Sequence, residues 1–166
     1  MSTVNNKIVL ITPYLPIILT IFGWYVVSRQ HNRRERRKEI RELIKLIETK
    51  ADAILAMATE YYSIDGKNKK CSELETKIRY HFDAIKSLEE RVKHAGLPVN
   101  VVDKRRDFKL SVTSGEFESR TRTKMSENSN IIPEMATNAV TLIDEFEKAY
   151  FKSFPVRFGW NPFSKN

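Results

Sequence analysis

The sequence predicts an all-α protein: an N-terminal transmembrane helix, then a cytoplasmic antiparallel helical hairpin or bundle of three main helices. Three observations carry this. Ile8 to Val27 is a twenty-residue stretch without a charge. Two heptad seams follow, separated by a short polar turn. A further 4-3-4-3 apolar pattern lies near the C-terminus. The chain has 166 residues and a net charge of +8, the size of about one domain. Its 41% apolar content suggests an ordinary basic globular protein, but the apolar residues are unevenly spread.

The first predicted element occupies residues 1–28. A twenty-residue helix is about 30 Å long, the hydrocarbon thickness of a bilayer. Tyr14 at one end and Trp24 and Tyr25 at the other suit the water–lipid boundary. Thr12 as a cap would put Pro13 at the first helical position, and Pro16 would then weaken the opening turns. No A-x-A cleavage pattern follows, which argues against a signal peptide. Basic residues set orientation. Lys7 stands alone on one side, against Arg29, Arg33, Arg34, Arg36, Arg37, Lys38 and Arg41 on the other. This predicts a single-pass inner-membrane protein, N-terminus out and C-terminal domain cytoplasmic. The cluster Arg33 to Lys38 would meet anionic lipid headgroups. A single cysteine, Cys71, fits a reducing compartment and excludes an intramolecular disulfide.

The second element spans residues 29–154, with main helices over about 33–62, 72–95 and 133–153. Ile40, Ile44, Ile47, Ala51, Ile54, Ala58 and Tyr61 form the first seam, widened by Leu43 and Leu55. SIDGKNKK, residues 63–70, is a turn. Ser72 and Glu75 match a capping box. Cys71, Leu74, Ile78, His81, Ile85, Leu88, Val92 and Ala95 form the second seam, stopped by Gly96 and Pro98. The two helices should make an antiparallel hairpin. A short helix over about 103–112 carries Phe108 and Val112 on one side. Pro133 suits the first turn of the last helix, whose seam is Met135, Ala139, Leu142, Phe146 and Ala149. Residues 155–166 are an aromatic tail; Phe154, Phe158, Trp160 and Phe163 are candidates for an interface with lipid, the bundle or a partner.

The segment LSVTSGEFES, residues 110–119, resembles a V-T-x-G-[DE]-F-E-S stretch in uncharacterised bacterial and phage single-pass inner-membrane proteins. Val112, Thr113, Gly115, Glu116, Phe117, Glu118 and Ser119 carry the match. The order of features is similar too: one N-terminal span, an Arg-rich exit, helices, this stretch and a final helix. The family brings no activity with it.

Catalytic and cofactor signatures are missing from the sequence. His31, His81 and His94 are too scattered for a metal site. His81 falls in the second seam, where Tyr61 or Tyr62 could supply a hydrogen-bond partner. There is no G-x-S-x-G, Walker loop or G-x-G-x-x-G. No enzyme, cofactor or metal is therefore expected. One charged cluster asks for a partner: Lys104, Arg105, Arg106, Lys109, Arg120, Arg122 and Lys124, net +4 over residues 104–124, interleaved with Phe108 and Phe117. Basic groups among aromatics can bind single-stranded nucleic acid. The preferred expectation is instead a non-enzymatic interaction protein that engages another protein at the membrane, with superinfection exclusion by obstruction of a second phage's DNA as one form. A tethered nucleic-acid binder or an envelope scaffold subunit is the alternative. The seams could also be satisfied by a homo-oligomer.

Overall fold

The structure, a computed structural model, describes residues 14–124 and 130–155. Those residues form four helices and no strand: α1, Leu15–Tyr62; α2, Lys70–His94; α3, Val102–Thr113; and α4, Ile131–Ser153. The chain divides into two compact units, Met1–Glu39 and Ile40–Asn166.

In the first unit the prediction of a membrane span is corrected. No helix among the described residues is long and apolar enough to cross a membrane. The helix begins at Leu15 with Pro16 in its first turn, where a missing N–H is harmless. Leu15 to Val27 is thirteen residues, about 20 Å of helix against the roughly 30 Å a bilayer core requires. From Arg29 the same helix turns strongly charged. Ile8 to Pro13, the rest of the apolar stretch, lies outside the described residues. The transmembrane helix over 1–28, the single-pass inner-membrane placement and the N-out orientation all fall with it.

The second unit is a four-helix bundle. Residues 40–62 of α1 pack against α2 in antiparallel fashion: Glu60 pairs with Lys70, and Tyr61 reaches Glu75. Phe82 of α2 meets Phe108 of α3 edge to face, with ring centroids 5.2 Å apart, while Glu89 pairs with Arg105 further along. Arg41 of α1 pairs with Glu147 of α4 and lies over the Tyr150 ring at 5.2 Å. The Glu147 carboxylate pushes the Arg41 guanidinium up from its ordinary value. The heptad positions form one core: Ile40, Ile44, Ile47, Ile54, Ile78, Ile85, Phe108, Met135, Leu142 and Phe146 are buried. Burial of each such side chain contributes about 1.5–3 kcal/mol before ordering costs.

Two local expectations change. The Ser72–Glu75 capping box does not form. Asn68 Oδ1 accepts from the Lys70 amide at 3.0 Å, so α2 starts earlier, and Glu75 turns inward to accept from the Tyr61 hydroxyl at 3.1 Å. His81 is only half-buried, and Phe82 takes the core position beside it. A bundle helix that meets two neighbours buries a wider stripe than one seam. Tyr61 and Tyr62 are engaged elsewhere, so His81 Nδ1 has no hydrogen-bond partner among the described residues. Burial, with help from Lys50, holds the His81 pKa below its ordinary value. The stop at Gly96 takes the form of a Schellman turn. Gly96 has φ +86°, its amide donates to Lys93 O at 2.8 Å, and the Leu97 amide donates to Val92 O at 3.2 Å.

Candidate functional site

Residues 114–124, which follow α3, cross one end of the bundle and close it over the α1–α2 turn. Arg122 is the centre of this closure. Its side chain is buried, with the guanidinium 4.1 Å over the Tyr61 ring and 5.4 Å from the Tyr62 ring centroid. One terminal nitrogen donates to Ile64 O at 2.9 Å, and the other lies 3.5 Å from Cys71 Sγ. Arg122 Nε has no partner among the described residues. The backbone is pinned as well. Gly66 N–H donates to Arg122 O at 2.9 Å, and Lys124 N–H donates to Asp65 Oδ1 at 2.9 Å.

The residues of the V-T-S-G-E-F-E-S stretch build this closure. Val112 is a core residue whose carbonyl accepts from the Tyr62 hydroxyl at 2.9 Å. Gly115 has φ +65°, a region open to glycine without strain. Phe117 packs on Tyr61, with ring centroids 5.1 Å apart. Glu118 adopts φ +67°, which costs a non-glycine residue about 1 kcal/mol. Its amide donates to the Tyr61 hydroxyl at 2.7 Å and its carboxylate pairs with Arg79, and together these hold it there. Burial pushes the Tyr62 hydroxyl up to about 12.

The basic residues of 104–124 are scattered by the fold rather than gathered. Arg122 is inside. Arg105 pairs at 2.9 Å with Glu89, whose side chain is 1% exposed and which also binds Lys93 at 2.7 Å. Arg106 pairs with Asp103 and Arg120 with Glu75. Phe108 is fully buried and cannot stack on a base, and Phe117 faces Tyr61. Lys109 and Lys124 are exposed, and Lys104 is half-buried near Glu145. In the tail, Phe154 packs on Tyr150 at 5.1 Å; Phe158, Trp160 and Phe163 lie outside the described residues.

The first unit is different in kind. Tyr14, Leu15, Ile17, Ile18, Leu19, Ile21, Phe22, Trp24, Tyr25 and Val27 are all more than half exposed, Trp24 most of all at 73%. One face carries on from these into charge: Tyr25, Ser28, Arg29, Asn32, Arg33 and Arg36 line a single open cleft. Arg34, Arg37 and Lys38 lie on the exposed helix beside it, and Lys38 pairs with Glu35 at 3.0 Å. That pairing holds the Glu35 carboxyl below its usual value. Trp24, Tyr25 and the Arg cluster were singled out from sequence as membrane and topology residues, a role that falls with the membrane span, and the inward turn of Glu75, Glu89 and Arg122 was not foreseen. Glu75 and Glu89 did leave a signal in their spacing: each sits four residues after one seam residue and three before the next, Cys71 and Ile78 for Glu75, Ile85 and Val92 for Glu89.

No protein-family model matches the chain, and no match is found among curated proteins or solved structures. No group of three or more metal-ligating side chains occurs among the described residues.

Proposed function

We propose that the chain is a non-enzymatic interaction protein, and that the apolar and basic surface of residues 14–38 is where it engages another protein. One observation carries this: ten consecutive-turn apolar side chains are exposed on a helix, while the neighbouring unit buries a full core of its own. Single exposed apolar residues are ordinary, but a contiguous surface of this kind marks a binding site. The basic residues directly after it favour an acidic partner and steer encounter. Obstruction of a second phage's DNA is one form that such an interaction could take.

In-cell crosslinking of the full chain tests the general reading. Wild type should give crosslinked complexes that Ile18→Glu with Phe22→Glu loses, with far-UV circular dichroism and melting unchanged. Equal complex formation by both proteins would remove the proposal. The phage form predicts normal adsorption but blocked DNA delivery in cells that make the chain; normal delivery would remove that form alone.

A further inference from the structure

The bundle carries a groove between α1 and α4 that the core does not fill. Ala51 and Ala139 form its floor, and because both are small a cleft of about 250 Å³ remains between the helices. Leu55 and Val140 line one end, and Ile143 lies further along; Val140 is 59% exposed, and the other two are half-buried. Glu48, Asp52 and Asp144 supply carboxylates toward the other end. None of the three takes part in an ion pair among the described residues. The groove is therefore apolar at one end and acidic at the other, with Arg41 near Glu48 and Lys148 near Asp144.

The same sequence contains a segment of matching polarity. Along the exposed face of α1, Leu15, Ile18, Phe22 and Tyr25 recur at steps of three and four, followed on the same face by Arg29 and Arg33. Spacings agree. Tyr25, Arg29 and Arg33 advance by four residues each, and Leu55, Asp52 and Glu48 by three and four in the opposite direction. At 1.5 Å per residue these cover about 12 Å and about 10.5 Å.

We propose that a second copy of this chain docks the Leu15–Arg37 stretch of its α1 in the α1–α4 groove. This rests on residues 14–38 being the binding surface, and it names the partner. The incoming helix runs antiparallel to the α1 that receives it. Tyr25 lies over Leu55 and Val140, Arg29 over Asp52 and Asp144, and Arg33 over Glu48. Two desolvated surfaces of opposite charge become one helix-in-groove contact. The contact is heterologous, so it closes into a ring or a reciprocal dimer, or it grows as a filament.

Sedimentation and mass photometry of full-length protein test this, with charge reversal as the probe. Arg29→Glu with Arg33→Glu, and separately Glu48→Lys with Asp52→Lys, should each weaken self-association about tenfold or more, since each turns attraction into repulsion. An equimolar mixture of the two variants should associate again, to within about threefold of wild type. All these residues are exposed or at the groove rim, and unchanged melting would confirm that both variants fold. Three results overturn the inference: a monomeric wild type at roughly 100 µM, loss of association in the Arg variant but not in the acidic one, or no rescue on mixing. The second leaves residues 14–38 as a binding surface that meets a different part of the second copy. A monomeric wild type that still gives crosslinked complexes in cells leaves residues 14–38 as a binding surface for a different partner. Absence of those complexes is what removes the surface itself.

Discussion

Replacing Arg122 by alanine should destabilise the bundle by about 2–3 kcal/mol. The stack over Tyr61, with the guanidinium 4.1 Å from the ring centroid and out of water, is worth roughly 2 kcal/mol. The charge-assisted bond to Ile64 O adds about 1.5–3 kcal/mol. Against these stands desolvation of a buried cation whose Nε is unpartnered; its removal returns about 1–2 kcal/mol. Urea unfolding of full-length protein at pH 7, followed by far-UV circular dichroism, measures the difference. With a slope of about 1–3 kcal/mol per molar, the midpoint should fall by roughly 1–2 M. Arg122→Lys should recover only part of this, because an ammonium keeps the charge but loses the planar face and the forked donors. A change below about 0.5 kcal/mol for Arg122→Ala, or full recovery by lysine, would refute the stack as the anchor of the closure.

Gly66→Ala tests the same closure through the backbone. A Cβ at Gly66 would meet Ser119 O at 2.3 Å and Arg122 O at 3.2 Å, so the connection must lift away, and a loss of about 2 kcal/mol or more in urea is expected. Glu89→Ala leaves Arg105 and Lys93 without their shared carboxylate, and a loss of about 2–3 kcal/mol should appear as a lower melting temperature, somewhat less than for a fully buried pair because both cations reach solvent. Tyr62 gives a pH signature. Its folded pKa of about 12 lies above the ordinary 10.0, so the folded state holds the proton more tightly. Its contribution is fully present below pH 10, declines as pH rises through about 12, and totals about 3 kcal/mol once lost. Tyr62→Phe should flatten that part of the stability–pH profile, and an unchanged slope would show that the hydroxyl is not the group being titrated.

The helices were legible where one physical signal dominated. Ile40 to Tyr61 and Met135 to Phe146 repeat every 3.5 residues, and a repeat that regular has one apolar side to bury. Phe108 and Val112 were readable for the same reason, four residues apart on a short helix. Legibility failed where burial depends on a partner far along the chain. Glu75 looked like a capping residue because its spacing from Ser72 is local, but its oxygen serves Tyr61, fourteen residues earlier. Arg122 looked like surface charge because nothing near it in sequence shows the Tyr61–Tyr62 pair beneath it. The apolar N-terminal stretch misled differently. Its twenty residues read as enough for a span even with a late helix start after Thr12, yet the described helix starts at Leu15, and the thirteen apolar residues left to it are too few to span a bilayer.

That division of charge changes the chemistry a partner must have. A nucleic acid would need cations and flat rings on one accessible face. Among residues 104–124, Arg105, Arg106 and Arg120 are neutralised by Glu89, Asp103 and Glu75, and Arg122 and Phe108 are inside. What is left there, chiefly Lys109 and Lys124, is sparse and separated by the length of α3 and its connection. On residues 14–38 the reverse holds: Tyr25, Arg29 and Arg33 share one open face, preceded by a run of exposed apolar side chains that a phosphate backbone could not satisfy. A surface that is apolar first and basic second calls for a partner that is apolar first and acidic second. The groove of Leu55, Val140, Asp52 and Glu48 has that order, which is why the charge-reversed pair, restored on mixing, is the decisive comparison.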